Sequence, residues 1–231
     1  APQLVPGAEG FARKQGIALD ALITREEQGV ERIVANIAQV GVEAASVIPD
    51  IVSTTVNALP VSKRMRWGRT RYDFLRPVQW LVLLLGDSTL PLELFGRRSG
   101  RESRGHRFHA NHAVSIAAPS DYIEALRQAK VIADVDERRA QVAEQVSQLQ
   151  GKGEQVALSK ELLDEVTGLV EWPVALRGSF DQGFLDVPAQ ALISAMKTHQ
   201  KYFHLTDQET GALLPAFITV ANIESKQTSE V

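Results

Sequence analysis

The sequence predicts an α+β fold, a mixed or antiparallel sheet with packed helices. Three observations carry that expectation. Strand-like and helix-like stretches follow one another without the regular βαβ alternation of a doubly wound sheet. Apolar segments flank Gly86-Asp87-Ser88 and, further on, the stretch from Asp207 to Gly211, and such pairs read as hairpins. Capping residues introduce helical stretches between these two hairpins. With 231 residues, 44% of them hydrophobic and 23% charged, the chain can build one large domain or two small ones with a real core.

Residues 7–23 read as a short helix followed by an irregular or strand-like stretch, entered at Pro6-Gly7 and left near Gly16. Residues 33–37 have strand character. Residues 42–59 place apolar side chains at helical spacing, with Pro49 expected to break or kink the helix and Pro60 to stop it. Residues 79–85 and 89–95 read as two strands around a tight turn. The following stretch, 96–105, is rich in glycine and arginine with little to bury, and reads as a loop; 113–117 reads as a short strand.

Ser120-Asp121 supplies a cap and a negative first turn for a helix over 122–129. Asp134 with Glu137 resembles a capping box opening a helix to about residue 150, ended by Gly151-Lys152-Gly153. Ser159 caps a helix through residue 167. Residues 169–176 read as a strand interrupted by Pro173, a residue that belongs at an edge or a bulge. Asp186-Val187-Pro188 opens a helix to about residue 201, and residues 202–205 and 213–221 form the second hairpin. No internal repeat or low-complexity tract is evident.

Net charge is minus three, yet residues 62–107 carry eleven Lys and Arg against four Asp and Glu, leaving minus ten for the remainder. Such segregation suits a polyanion-facing region on an acidic body, because phosphate neutralisation depends on local charge. The chain has no cysteine, hence no disulfide or thiolate metal site, in keeping with a reducing cytoplasm. The apolar run from Trp80 to Leu85 falls far short of the roughly 20 residues that cross a bilayer, so no membrane partner is expected.

Two segments mix cations with aromatics: Lys63-Arg64-Met65-Arg66-Trp67-Gly68, leading to Phe74-Leu75-Arg76-Pro77-Val78-Gln79-Trp80, and Met196-Lys197-Thr198-His199-Gln200-Lys201-Tyr202-Phe203. A surface that meets phosphates and flat bases uses both residue types. Lys63, Arg64, Arg66, Arg69 and Arg71 are the candidate phosphate contacts. An extended backbone would put Arg64 and Arg66 on one face and Lys63, Arg69 and Arg71 on the other. Trp67 either packs or offers a base-stacking platform. Lys197 and Lys201, four apart, share a helical face with His199 alongside, and either grip RNA or flank a solvated face.

His106, His109 and His112, at intervals of three, raise the alternative of a free-standing metal-dependent hydrolase. Arg104 and Arg107 among them oppose a dication, and no nearby Cys or carboxylate completes a ligand set. There is no Gly-x4-Gly-Lys-Ser/Thr loop and no Gly-x-Ser-x-Gly elbow, so no catalytic residue is proposed. Trp172 and Pro173, or Phe180 and Phe184, either bury locally or dock another domain, and a purely structural interaction domain is the second alternative.

Together with Gly105-His106-Arg107-Phe108, Leu169-Val170-Glu171-Trp172-Pro173-Val174-Ala175-Leu176 and Leu213-Leu214-Pro215-Ala216-Phe217-Ile218, those two segments resemble the beta-subunit family of the bacterial two-subunit glycyl-tRNA synthetase. The five blocks stand in that family's order over roughly residues 7–226. The resemblance implies an N-terminal piece of a larger subunit, since the chain starts without Met and stops in mid-pattern at Asn222-Ile223-Glu224-Ser225-Lys226. It implies that residues 1–231 resemble the B3/B4 domain of the phenylalanyl-tRNA synthetase beta subunit, with the helical stretch 118–168 as a candidate internal subdivision. It implies partnership with an alpha subunit, with the remainder of the beta subunit and with glycine tRNA in the cytoplasm. Two alpha and two beta subunits would join glycine to its tRNA using ATP and Mg, with activation on the alpha subunit and no cofactor in this chain. Removal of mischarged amino acids, a property of B3/B4 domains in the phenylalanyl system, is not carried over. A glycine pocket excludes larger competitors by size, which makes editing less necessary.

Overall fold

The computed structural model describes residues 7–37 and 40–224. Pro6, Ser225 and Lys226, which figured in the reading of the chain's two ends, lie outside the described residues. Contacts divide the chain into two units, Ala1–Val47 and Ile48–Val231.

In the first unit, α1 (Ala8–Gln15) lies between Gly7 and Gly16, both with positive φ, and the Gly16 N–H returns to the Arg13 carbonyl. A 3-10 turn, Leu19–Ala21, leads into β1 (Leu22–Glu27), which pairs antiparallel with β2 (Val30–Ala35). Gln28 and Gly29 join them with φ of 55° and 76°, the signature of a type I′ hairpin turn. Ala8, Ala12 and Leu22 are buried beside Phe11, Ile17 and Leu19. The strand expected over 33–37 is therefore the second arm of a hairpin that begins at Val30. Its first arm was illegible because Arg25, Glu26 and Glu27 leave no apolar alternation to read.

The helix α2 (Ala44–Ala58) runs through Pro49 instead of breaking there. Pro49 lies in the second turn, where its missing N–H forfeits one helical bond while later turns keep theirs. The helix ends before Pro60, as expected.

The architecture of the second unit is α+β. Its main sheet is antiparallel, in the order β12 (Glu154–Val156), β14 (Phe203–Asp207), β15 (Leu213–Ala221), β13 (Val174–Ser179). Two helices, α4 (Val135–Gln148) and α5 (Lys160–Leu169), cover one face of it. Val142 and Val146 in α4, and Leu162 and Val166 in α5, are four residues apart and so lie on one helical side. Phe203 with Leu205, and Ala216 with Ile218, are two apart and point to the same sheet face. These eight side chains, with Val156 and Val170, form the main core. Phe217, between Ala216 and Ile218, points the other way, lies over Gly178 and stacks on Tyr202 with ring centroids 4.4 Å apart.

Asp134 caps α4 by accepting from the Asp136 and Glu137 N–H groups, but Glu137 does not complete the capping box, because its carboxylate binds Arg127. Ser159 caps α5 through the Leu162 N–H. The expected strand over 169–176 starts instead at Val174, since α5 continues to Leu169; Pro173 precedes the edge strand β13, where its missing donor does no harm. Beyond the 3-10 turn Gln182–Asp186, the next helix begins α-helical as α6 (Ala189–Ser194), continues π-wound over Ala195–Gln200, and ends at Lys201 with φ of 59°.

Short strands fill residues 65–115: β3 (Met65–Arg66), β4 (Asp73–Phe74), β5 (Leu81–Val82), β6 (Leu84–Leu85), β7 (Ser88–Thr89), β8 (Glu93–Leu94), β9 (Arg97–Gly100), β10 (Glu102–Arg104) and β11 (Ala113–Ser115). The loop expected over 96–105 is mostly strand. β9 sits between β8, antiparallel, and β5, parallel, and the Ser99 hydroxyl donates to the Leu90 carbonyl and accepts from the Leu92 N–H. Backbone pairing holds this segment, and side-chain hydrophobicity does not reveal it. α3 (Tyr122–Gln128) packs Leu126 against Val114 and Ile116 in a second core cluster.

Two outcomes follow from the main sheet. The Arg177 guanidinium and then the Gly151 N–H hold the Glu154 carboxyl down to about 2. A depressed folded value means that the stabilisation is present above the ordinary carboxylate range and is lost as pH falls toward about 2. Glu154→Gln should therefore lower the thermal midpoint at neutral pH, with the difference from wild type closing between about pH 4.5 and 2 in a pH series of melts. At Gly178, an added Cβ would stand 2.4 Å from the Phe217 ring, so Gly178→Ala should cost about 1–3 kcal/mol in denaturant unfolding.

Candidate nucleic-acid interface

The basic segment after α2 is a small ribbon and not a long extended strand. Only Met65 and Arg66 pair, with Phe74 and Asp73, and Gly68 turns the chain at φ of 60°. The two-faced alternation expected for Lys63 to Arg71 is thus absent. Arg64 reaches back to the Asn57 carbonyl at 3.2 Å and to Asp73 at 3.4 Å, which removes it from the free phosphate contacts. Lys63, Arg66, Arg69 and Arg71 are exposed and have no carboxylate partner among the described residues. Trp67 packs edge-on against Phe95 at 5.9 Å, with Tyr72 and Phe74 on the same ring. Of its two readings, packing is the one observed.

Lys197 and Lys201 also prove engaged. Lys201 binds Glu165 at 2.8 Å and the Thr198 carbonyl, and Lys197 stands 3.9 Å from Glu161, both acids being on α5. His199 is exposed. The sequence could not show this, because the acidic partners lie on a different helix. Close by, burial and then the Lys197 charge push the His204 imidazolium below its ordinary range.

The three histidines do not converge on a metal position. His106 is fully buried and its Nδ1 accepts from the Phe108 and His109 N–H groups. His109 Nε2 accepts from the Glu224 N–H at 3.0 Å, and His112 is exposed. No group of three or more His, Asp or Glu placed to hold a metal occurs among the described residues. His106 fixes the turn that displays Arg107 and Phe108.

That turn borders a cleft of about 830 Å³ lined by Arg76, Trp80, Arg104, Arg107, Phe108 and Tyr122, among others. Trp80 is 45% exposed and Phe108 72%, and the Arg107 guanidinium stands 5.9 Å from the Phe108 ring centroid. Arg76 and Trp80 stand in the first cation-aromatic segment, and Arg107 and Phe108 in the Gly105-His106-Arg107-Phe108 block. The available signal was that Arg76, Arg104 and Arg107 all fall in the basic stretch 62–107.

Beside the cleft, Asn222 Oδ1 accepts from the Glu171 and Trp172 N–H groups. Trp172 Nε1 donates to Glu224, with Lys130 over the indole at 4.5 Å. Pro173 is buried, so local burial accounts for this pair, whereas Phe184 stays 56% exposed beside Phe180.

Hydrogen-bond donors, cationic or neutral, explain the shifted carboxylates. Arg127 lowers Glu137, Arg139 lowers Asp164, and the Trp172 N–H followed by Lys130 lowers Glu224. Each shift runs away from neutrality, the direction of a structural pair and not of a poised general base. No described helix is long and apolar enough to cross a membrane.

The fold class alone defines an α+β protein, a class shared by many functions. Sequence comparison is more specific. Residues 2–231 match the family described as glycyl-tRNA synthetase beta subunit. The chain is 49% identical to the glycine-tRNA ligase beta subunit of Chromohalobacter salexigens over 230 residues, covering 99% of this chain and 33% of that protein. Against the glycine-tRNA ligase beta subunits of Pseudomonas fluorescens and Stutzerimonas stutzeri it is 48% identical, covering 97% of this chain and 32% of each relative. The chain belongs to the glycyl-tRNA synthetase beta-subunit family, and it spans about a third of the length of these curated relatives.

Because Lys197 and Lys201 face acids on α5, replacing both by Ala should lower the thermal midpoint and make it less sensitive to added salt, as read from melts at low and high salt.

Proposed function

We propose that this chain is a tRNA-facing and architectural part of a glycyl-tRNA synthetase, the enzyme that joins glycine to its tRNA at the expense of ATP. Membership of the beta-subunit family supports the reading, as do the printed names of the relatives. On this reading the alpha subunit activates glycine with ATP and Mg, the chain carries no catalytic residue of its own, and the complex works in the cytoplasm. Its partners are the alpha subunit, the remainder of the beta subunit and glycine tRNA. The likeness to a B3/B4 domain belongs to the same proposal, supported by the α+β architecture.

One observation carries the tRNA-facing part: Lys63, Arg66, Arg69 and Arg71 stay exposed and without carboxylate partners among the described residues, in a chain whose net charge is minus three. Cations held free on an acidic body serve a polyanion, since each phosphate neutralised releases condensed counterions.

The test is glycine tRNA binding across a salt series. Combining Arg66→Ala, Arg69→Ala and Arg71→Ala should weaken binding and make the log–log salt slope shallower by about 0.9 or less per lost contact. Adding Arg64→Ala should change the slope little further, because Asp73 and the Asn57 carbonyl already hold Arg64. Unchanged binding by the triple variant would remove the ribbon from the tRNA-facing surface, and no binding by wild type would leave only the architectural role.

A further inference from the structure

The cleft that displays Trp80 and Phe108 has a chemistry distinct from that of the basic ribbon. Arg76, Arg104 and Arg107 line it without a carboxylate partner among the described residues. A fourth arginine in its wall, Arg138, is committed to the Ile132 and Thr167 carbonyls. Glu171 is the carboxylate that lines it, and Asn222, whose Oδ1 is engaged, has no partner for its amide N–H groups among the described residues. Trp80, Ser103 and Tyr122 also line an adjoining pocket of about 480 Å³ whose other walls include Leu81, Leu83 and Ile116. A cationic cleft and an apolar pocket thus share one aromatic edge.

We propose that this cleft takes one unstacked nucleotide of a single-stranded RNA, its phosphate on Arg76, Arg104 and Arg107 and its base on the rings of Trp80 and Phe108. The proposal rests on the reading of the chain as RNA-facing, and it names the form of RNA that this site accepts. A duplex offers its phosphates to cations but keeps its bases stacked and paired, so exposed aromatic faces gain nothing from it. A free anion would satisfy the arginines and ignore the rings. A single strand with a splayed base uses both, and base-aromatic stacking tolerates any base. Glu171 cannot meet phosphate, and accepts instead from a base amino group or a ribose hydroxyl.

His106 is the positioning residue. It touches no ligand in this scheme; its Nδ1 holds the Phe108 and His109 N–H groups at 3.2 Å and so fixes the turn bearing Arg107 and Phe108.

The experiment measures binding of the 231-residue chain to a short single-stranded oligoadenylate and to its abasic counterpart of equal phosphate count. A duplex RNA, AMP and an oligoglutamate are run beside them. Wild type should prefer the base-bearing strand about tenfold over the abasic one. Trp80→Leu and Phe108→Leu, both at exposed positions, should each reduce that preference without changing the salt slope. Arg104→Ala with Arg107→Ala should weaken both strands alike and flatten the slope.

Equal binding of base-bearing and abasic strands, or a preference surviving both aromatic variants, would overturn the proposal. So would AMP binding as tightly as the strand, which makes the cleft a free-nucleotide pocket, or oligoglutamate competing as well as RNA. If glycine tRNA binds with a slope set by Arg66, Arg69 and Arg71 while the abasic strand binds equally, the cleft assignment falls and the RNA-facing reading stands. If no RNA binds at all, both fall.

Discussion

Three consecutive residues at the start of α4 hold three different neighbours, and the second unit is arranged around them. Glu137 takes a two-pronged grip from Arg127 of α3. Arg138 donates to the Ile132 carbonyl and, at 3.0 Å, to the Thr167 carbonyl. Arg139 binds Asp164 of α5 at 2.7 Å. Successive helix residues point about 100° apart, so one turn of α4 reaches α3, the chain leading into α4, and the end of α5. The Thr167 carbonyl belongs to the last turn of α5, where helical carbonyls lack intrahelical donors, and Arg138 supplies one. These pairs are exposed to solvent screening, so each adds little to stability. Their contribution is orientation: the α5 that they place then meets Lys197 and Lys201, and Arg138 with Leu169 and Val170 makes one wall of the cleft.

What the sequence showed and what it hid divides along the same line. Elements announced by local chemistry were legible: the Asp134 and Ser159 caps, the Asp207 to Gly211 hairpin, and the helix stop before Pro60. Elements made by pairing with distant backbone were not. β9 lacks apolar alternation and exists because β5 and β8 flank it, and the first hairpin hides under a run of charges. The π-winding of residues 195–200 likewise has no signature in a pattern of cations and aromatics.

Site residues obey the same rule with higher stakes. Residue counting locates the basic stretch but does not sort free cations from engaged ones. The acids that hold Lys197 and Lys201 are on α5, and the carbonyls that hold Arg101 belong to Asp87, Ile116 and Ala117. The histidine spacing of three brings imidazoles near one another on a helix or a compact loop, but spacing alone does not say which ring nitrogens the backbone engages. In the folded chain one histidine is a buried acceptor for backbone N–H groups, one accepts from Glu224, and one faces outward.

The segregation of charge along the chain acquires a structural meaning from this sorting. Between residues 135 and 177 acids are plentiful, and arginines there close ion pairs: Arg139 with Asp164, Arg177 with Glu154. Between residues 62 and 107 eleven cations meet only four acids, and two of those acids are already taken by Arg64 and Arg98. Local pairing cannot absorb the surplus. Some of it is absorbed by carbonyls, as at Arg101, and the rest is left at the surface in the ribbon, in the cleft and at Arg97 on β9. A like-charged surplus raises the energy of the unbound protein through self-repulsion, and a bound polyanion relieves it. The excess is therefore costly in isolation and favourable in a complex. On the proposed reading, that difference in free energy turns an imbalance in composition into affinity for phosphate, without any one arginine being indispensable.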